Sequence, residues 1–371
     1  MTIDRDQLPW LVLHLTPGLT GRRLQQLLMH HGSPRALEHL TPSALQAMGW
    51  PRLLAQAVLF NLQDPWQALP DLKRVANWAA RPGNQLLTPG DADFPAALMD
   101  ILPDPPPVLY VQGSAPLLSQ PQLAVVGSRH PQASSRQLAH DWSRALAAAG
   151  LPITSGLARG IDAAAHQGAL DAAGQTIAVI GSGLDDLYPA GHEALAAQIV
   201  DQHGAVISEL PPWAPPKAAN FPRRNRLVAA LARAVLVVEA AERSGSLITA
   251  RLAGEFGRDV LAVPGHPFAP GAAGTNALLR DGAMVADHWS VALDLYPEYQ
   301  GGTQGETPGG PALSEDQARV FAAVGTLPTA LETLALTLDC EPESLYEPLL
   351  ELELAGLIGV QGGSYVRLQG P

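Results

Sequence analysis

The run Phe221 Pro222 Arg223 Arg224 Asn225 Arg226 places three guanidiniums and one amide in four consecutive positions. From Lys217 to Arg233 no acidic residue neutralises them. Planar guanidinium forks match phosphate oxygens, and the preceding Phe offers a face on which a base can stack. A charged run of this kind also fits a solvated, ion-paired helix start. On the run alone the two readings stand equal.

The same anion chemistry recurs in four turns, each directly after a short apolar stretch. These are Gly127 Ser128 Arg129, then Ser155 to Asp162 (Ser Gly Leu Ala Arg Gly Ile Asp), then Gly181 Ser182 Gly183, then Ser244 to Thr249 (Ser Gly Ser Leu Ile Thr). Glycine lets backbone amides approach an anion, and serine and threonine add hydroxyl donors. A following helix presents free N–H groups and its positive dipole end. One such turn says little, because doubly wound proteins need glycine where a strand tips into a helix. Four together predict a phosphate-binding trough. Its expected members are Gly127, Ser128, Arg129, Gly156, Arg159, Phe221, Arg223, Arg224, Asn225, Arg226, Ser244, Gly245, Ser246, Thr249 and Asn276.

Positioning these turns requires a sheet. Candidate strands are Leu123 to Val126, Leu151 to Thr154, Thr176 to Ile180, Ala205 to Ser208, Ala234 to Val238 and Asp259 to Val263. Helical stretches alternate with them: Arg136 to Ala149, Ala163 to Ala173, His192 to Gln202, Arg226 to Ala232 and Leu247 to Phe256. Short apolar strands alternating with helices predict a parallel sheet covered on both faces, with ligands outside the carboxyl ends of the strands. The fold class expected is α/β, an extended Rossmann-like core with a doubly wound sheet.

Other segments flank this core. Residues 1–80 read as a helical, SAM-like module, whose turn Pro17 Gly18 Leu19 Thr20 Gly21 is like a helix-hairpin-helix. Packing or partner bridging is the reading preferred over DNA contact there. A proline-rich lead-in, Phe94 to Pro107, precedes an apolar run from Val108 to Val111 that suggests an extended connection at a sheet edge. The core is expected over 81–299, a Gly, Thr, Pro and Gln-rich linker over 300–311, and a winged helix over 312–371. In that last domain a capping box from Ser314 to Gln317 opens the first of three helices, and a hairpin around Gly362 Gly363 closes it.

Composition limits the function classes. Of 371 residues, 47% are hydrophobic and 16% charged, as in an ordinary globular protein of two or three domains. No apolar run approaches a membrane span, and the first residues carry acids where a signal peptide wants bases, so a cytoplasmic protein is expected. The single cysteine, Cys340, excludes an internal disulfide and a thiolate metal cluster. The net charge of −12 is unevenly spread: residues 301–371 hold 2 basic and 10 acidic side chains, residues 114–300 hold 13 and 16. The local field decides whether an anion docks, so the core can bind one and the winged helix should repel it.

Catalytic readings fare poorly. Gly181 and Gly183 are followed by Leu184 Asp185 Asp186, without the third glycine of a dinucleotide fingerprint. A phosphoribohydrolase of the lysine-decarboxylase-like type carries Pro-Gly-Gly-x-Gly-Thr-x-x-Glu. Here Pro270 to Leu278 places a leucine where the catalytic carboxylate belongs. Asp162 and His166 lie one turn apart and could form an acid and base pair, although a helix-start aspartate and a packed histidine fit the same spacing. His192, His203 and His266 show no metal-ligand spacing. No enzyme activity, metal or cofactor is expected, with a nucleotide-binding enzyme of the phosphoribohydrolase type as the alternative.

With Val126 Gly127 Ser128 Arg129, Ser155 to Asp162, Phe221 to Arg226, Ser244 to Ala250 and Gly274 Thr275 Asn276 in view, the chain resembles the DNA-processing protein A family, DprA or Smf, over nearly its whole length. The resemblance implies a single-stranded DNA-binding protein of natural transformation. It would protect incoming strands and help load the RecA recombinase, acting as a homodimer through its Rossmann-like domain. It also implies that Gly127, Ser128, Arg129, Phe221, Arg223, Arg224 and Asn225 line the strand, and that recombinase and dimer surfaces fall roughly between Ala253 and Ala283. Three to four phosphate contacts on a single strand predict a slope of log affinity against log salt of roughly −2 to −3.

Overall fold

The computed structural model describes residues 3–302, 313–325 and 328–367. Its centre is a nine-stranded sheet: β1 Asn84–Leu87, β2 Leu109–Gly113, β3 Leu123–Val126, β4 Ile153–Ser155, β5 Thr176–Val179, β6 Ala205–Ser208, β7 Ala234–Val237, β8 Asp259–Ala262 and β9 Met284–Val285. The order across the sheet is β1-β2-β6-β5-β4-β3-β7-β8-β9. From β6 to β9 every pairing is parallel, while β1 and β2 join antiparallel at one end.

Strands β3 to β7 are buried at every position, which is why they read as mainly apolar runs without a polar alternation. Their side chains alternate between two cores. Leu123 and Val125 face the helices Ala133–Ala148 and Ile161–Asp171, whereas Ala124 and Val126 face the opposite core with Leu227, Val228 and Ala250. The chain runs from β3 outward through β4, β5 and β6, then returns across the sheet to place β7 on the other side of β3. That reversal opens a crevice above the carboxyl ends of β3 and β7, where open α/β sheets bind ligands.

Two edges differ from the sequence expectation. Strand β2 is not an edge, since it pairs with both β1 and β6; the tetrapeptide Asn84–Leu87, half polar and half leucine, forms the edge instead. The two-residue β9 extends the other side. Both are short strands whose existence depends on a neighbour supplying hydrogen bonds, and neither leaves an alternating pattern.

The helical module of residues 8–79 lies over one face of the sheet, and Trp10, Leu11, Leu72 and Trp78 share one core with Tyr110, Ala178 and Val206. The Trp78 and Tyr110 rings meet edge to face at 5.4 Å. The turn like a helix-hairpin-helix is docked rather than open: a Cβ on Gly21 would lie 2.2 Å from Asp104 Cβ, so only glycine permits the contact. Arg23 donates to Gly18 O at 2.9 Å, closing the turn on itself.

The expected linker begins inside a 3-10 turn, Pro297–Gly302, and its remainder lies outside the described residues. Beyond it, helices Glu315–Ala323, Leu331–Leu338 and Tyr346–Leu354 precede β10 Ile358–Gln361 and β11 Ser364–Arg367, a winged helix. Ser314 and Gln317 form the capping box in both directions. No helix among the described residues is long and apolar enough to cross a membrane.

Candidate nucleic-acid interface

An open trough of about 530 Å³ lies at the β3 and β7 crevice. Gly127, Ser128 and Arg129 follow β3, Gly156 follows β4, and Ser244, Gly245, Ser246 and Thr249 follow β7; all line it. Phe221, Arg224 and Asn225 close it from the helix Asn220–Leu231, the crossover from β6 to β7. The trough thus gathers eleven of the fifteen residues expected from sequence. Arg159, Arg223, Arg226 and Asn276 are not among its lining residues.

The helix explains the division of its three arginines. Expected from Arg226, it starts six residues earlier, so the whole run is helical and successive side chains point about 100° apart. Arg223 and Arg226 fall on one side, where both pair with the buried carboxylate of Glu209. Arg226 is buried and also faces Asp104 at 3.5 Å, which makes it a packing cation and not a phosphate ligand. Burial holds Glu209 above the usual carboxylate range, against the pull of Arg226 and Arg223.

Arg224 turns the other way, into the trough floor, and is only 5% exposed. Its Nη1 donates to Gly156 O at 2.6 Å and to Val179 O, tying the end of β5 to the turn after β4. A Cβ on Gly156 would come within 2.5 Å of that nitrogen, so this glycine makes room for a guanidinium. Burial lowers Arg224 to about 10, partly opposed by Asp162, so it stays a cation at neutral pH. It shapes the floor and contributes field more than a free fork.

The Gly156 turn also keeps its amides for itself. Asp162 accepts from Gly156 N–H at 3.1 Å and Ala158 N–H at 3.4 Å, so these donors are committed to a protein carboxylate. Burial pushes Asp162 up, with Arg224 and the two amides pulling back. The turn after β5 serves packing as well: a Cβ on Gly181 would stand 2.9 Å from the Phe221 ring, and one on Gly183 would stand 2.1 Å from Pro212 O. Asn276 clasps the β8 loop, donating to Gly265 O at 2.9 Å and accepting from Gly265 N–H at 3.1 Å.

The exposed cations at the trough are Arg129 and Arg243, on neighbouring turns, and neither has an ion pair among the described residues. Arg129 reaches over the Phe221 ring at 5.8 Å, and Tyr188 meets the same ring at 5.2 Å between centroids. Phe221 is half-buried, which leaves part of its ring open to a base. Asn225 donates to Gly245 O at 3.2 Å, joining this helix to the turn after β7. There the Ser244 and Ser246 hydroxyls lie 2.7 Å apart at the start of the helix Ser246–Glu255.

Sequence reasoning missed two residues. Arg243 directly precedes a recognised turn but follows Glu242, which disguises it as part of a mixed-charge pair. Tyr188 lies 33 positions from Phe221, and no local spacing announces the contact.

Of the two residues weighed as an acid and base pair, Asp162 lines the trough and His166 does not. His166 is fully buried, with Nδ1 at 2.7 Å from Thr176 Oγ1, and lies outside the trough. Leu278, at the position of the phosphoribohydrolase carboxylate, packs against the core. Among the described residues no group of three His, Cys, Asp or Glu could hold a metal ion.

Burial, then the charges of His192 and Arg224, lowers His166 to about 3. In the unfolded chain it takes up a proton near pH 6.5, so between pH 6.5 and 3 the unfolded state binds more protons and stability falls as pH falls. His14, lowered to about 4 chiefly by burial, acts in the same direction. Urea unfolding at pH 7 and pH 5 should show roughly 1 to 2 kcal/mol lost through His166. The dependence should shrink in His166→Gln; an equal loss in that variant would place the titration elsewhere.

The profile of the family described as DNA recombination-mediator protein A matches residues 85–296, and that of the DprA winged helix domain matches residues 304–364. Protein Smf of Escherichia coli is 40% identical over 306 residues, covering 79% of each chain. The X-ray structure of DNA processing protein A from Streptococcus pneumoniae aligns with a TM-score of 0.67 and 32% identity, over 79% of this chain and 98% of that one. That of the Helicobacter pylori protein, described for its single-stranded DNA binding mode, aligns with a TM-score of 0.51 and 33% identity, over 57% of this chain and 94% of that one.

Proposed function

The chain belongs to the family of DNA recombination-mediator protein A, named DprA or Smf in its relatives, and from that premise we propose that it binds single-stranded DNA along the trough and delivers it to a recombinase of the RecA kind. In this reading it acts in the cytoplasm on strands entering by natural transformation, as a homodimer joined through the Rossmann-like domain. It performs no chemistry on the strand. The observation that carries the reading is the pair of exposed cations, Arg129 and Arg243, without ion pairs among the described residues, beside the half-buried ring of Phe221.

The mechanism is electrostatic tracking with stacking. Guanidiniums hold phosphates, the Ser244 and Ser246 hydroxyls and the following helix start add donors, and an unstacked base lies on Phe221. A duplex hides its base faces, so single strands are favoured with slight sequence preference.

The direct test titrates a fluorescent single-stranded oligonucleotide, and the same sequence as duplex, at several salt concentrations. The single strand should bind more tightly and with a salt slope; absence of binding to either at concentrations well above micromolar would refute the reading. Phe221→Ala should weaken single-strand binding by about 1 to 2 kcal/mol with an unchanged slope, because the ring contributes stacking and no charge. Tyr188 and Gly181 already cover part of it, which limits the loss. A parental affinity in this variant would make Phe221 a packing residue only.

A further inference from the structure

The winged helix differs from a DNA-reading helix-turn-helix where that motif touches bases. In a helix-turn-helix the recognition helix carries the side chains that enter the major groove. Here the third helix, Tyr346–Leu354, reads YEPLLELEL and holds no basic residue. Of the two arginines beyond residue 301, Arg367 is turned inward, donating to the carbonyls of Phe321, Ala322 and Val324.

The face that replaces the basic one is organised. Leu345, Leu349 and Leu352 point into the domain core. Tyr346, Leu350 and Leu354 stand at spacings of four and are 56%, 56% and 79% exposed, forming an apolar stripe on the outer side. At 100° per residue, Glu353 borders one side of the stripe and Glu347 and Glu351 the other. Scattered exposed apolar residues are ordinary, but a stripe bordered by charge is the form of an interaction site.

We propose that this face docks a basic amphipathic helix of a partner protein, with apolar side chains on the Tyr346, Leu350 and Leu354 stripe and lysines or arginines against Glu347, Glu351 and Glu353. Charge complementarity selects this occupant. Nucleic acid is repelled by a segment with 10 acidic and 2 basic side chains, and a second copy would set glutamate row against glutamate row. The surface belongs to a different domain from the trough, so it stands independently of the single-strand reading.

The test uses the full chain and a fluorescein-labelled, 18-residue helical peptide (about five turns) of leucine and lysine. Saturable one-to-one binding is expected. Leu350→Ser with Leu354→Ser should weaken it at least tenfold, with the melting temperature and single-stranded DNA binding unchanged. Glu347→Gln with Glu351→Gln should weaken it severalfold and reduce its salt dependence. Asp316→Asn with Asp339→Asn, which removes the same charge elsewhere in the domain, should leave it intact. Parental binding by the serine pair would overturn the proposal, as would equal loss in the two charge-neutral pairs. Equal binding of a leucine and glutamate peptide would also overturn it. Self-association or duplex DNA binding that the serine pair abolishes would assign the face to a second copy or to DNA instead.

Discussion

Arg224→Ala is expected to lower the unfolding free energy by about 3 to 5 kcal/mol, the range for removing one partner of a buried charged network. Its Nη1 is the donor for two carbonyl oxygens, Gly156 O and Val179 O, and it offsets the buried carboxylate of Asp162. The alanine leaves both oxygens short of a donor and the carboxylate short of its cation. Lysine is no substitute, because its ammonium lacks the planar fork. Urea unfolding measures the loss, and the trough floor should fail with it, so single-strand affinity drops at every salt concentration. A variant of parental stability that merely binds DNA less well would make Arg224 a direct phosphate ligand.

Arg129→Ala combined with Arg243→Ala should reduce single-strand affinity by about 2 to 3 kcal/mol, as charge-assisted contacts are worth about 1.5 kcal/mol or less each when solvent reaches them. The salt slope should fall in magnitude by about 1.4, because each phosphate contact on a single strand contributes about 0.7. Both side chains are exposed and without ion pairs among the described residues, so folding stability should hold. Arg226→Ala gives the contrast: it breaks the pair with Glu209 and should cost stability. An unchanged slope in the double variant would remove both arginines from the DNA path.

Much of the architecture was legible because burial on both faces imposes a local signature. Strands β3, β5, β6 and β7 are buried at every position and apolar at all but Thr176 and Ser208, and their boundaries fell within a residue or two of those expected. The capping box at Ser314 and the hairpin at Gly362 were legible because their partners lie within ten residues along the chain. The edge strands β1 and β9 were not, because a neighbouring strand, not a pattern of their own, makes them strands.

The sequence by itself determined which turns stand at the carboxyl ends of the central strands, and hence that Gly127 to Arg129, Gly156 and Ser244 to Thr249 would meet in one place. A parallel sheet aligns the carboxyl ends of its strands, so any residue just after a strand inherits its position from the sheet. Only the tertiary structure decided what each side chain there is for. Arg223, Arg224 and Arg226 are chemically alike and nearly adjacent, yet one is exposed, one forms the trough floor and one is sealed against Glu209. The physical reason is that a helix rotates neighbours by 100°, while the partners it rotates them toward, at Gly156, Val179 and Glu209, come from distant parts of the chain.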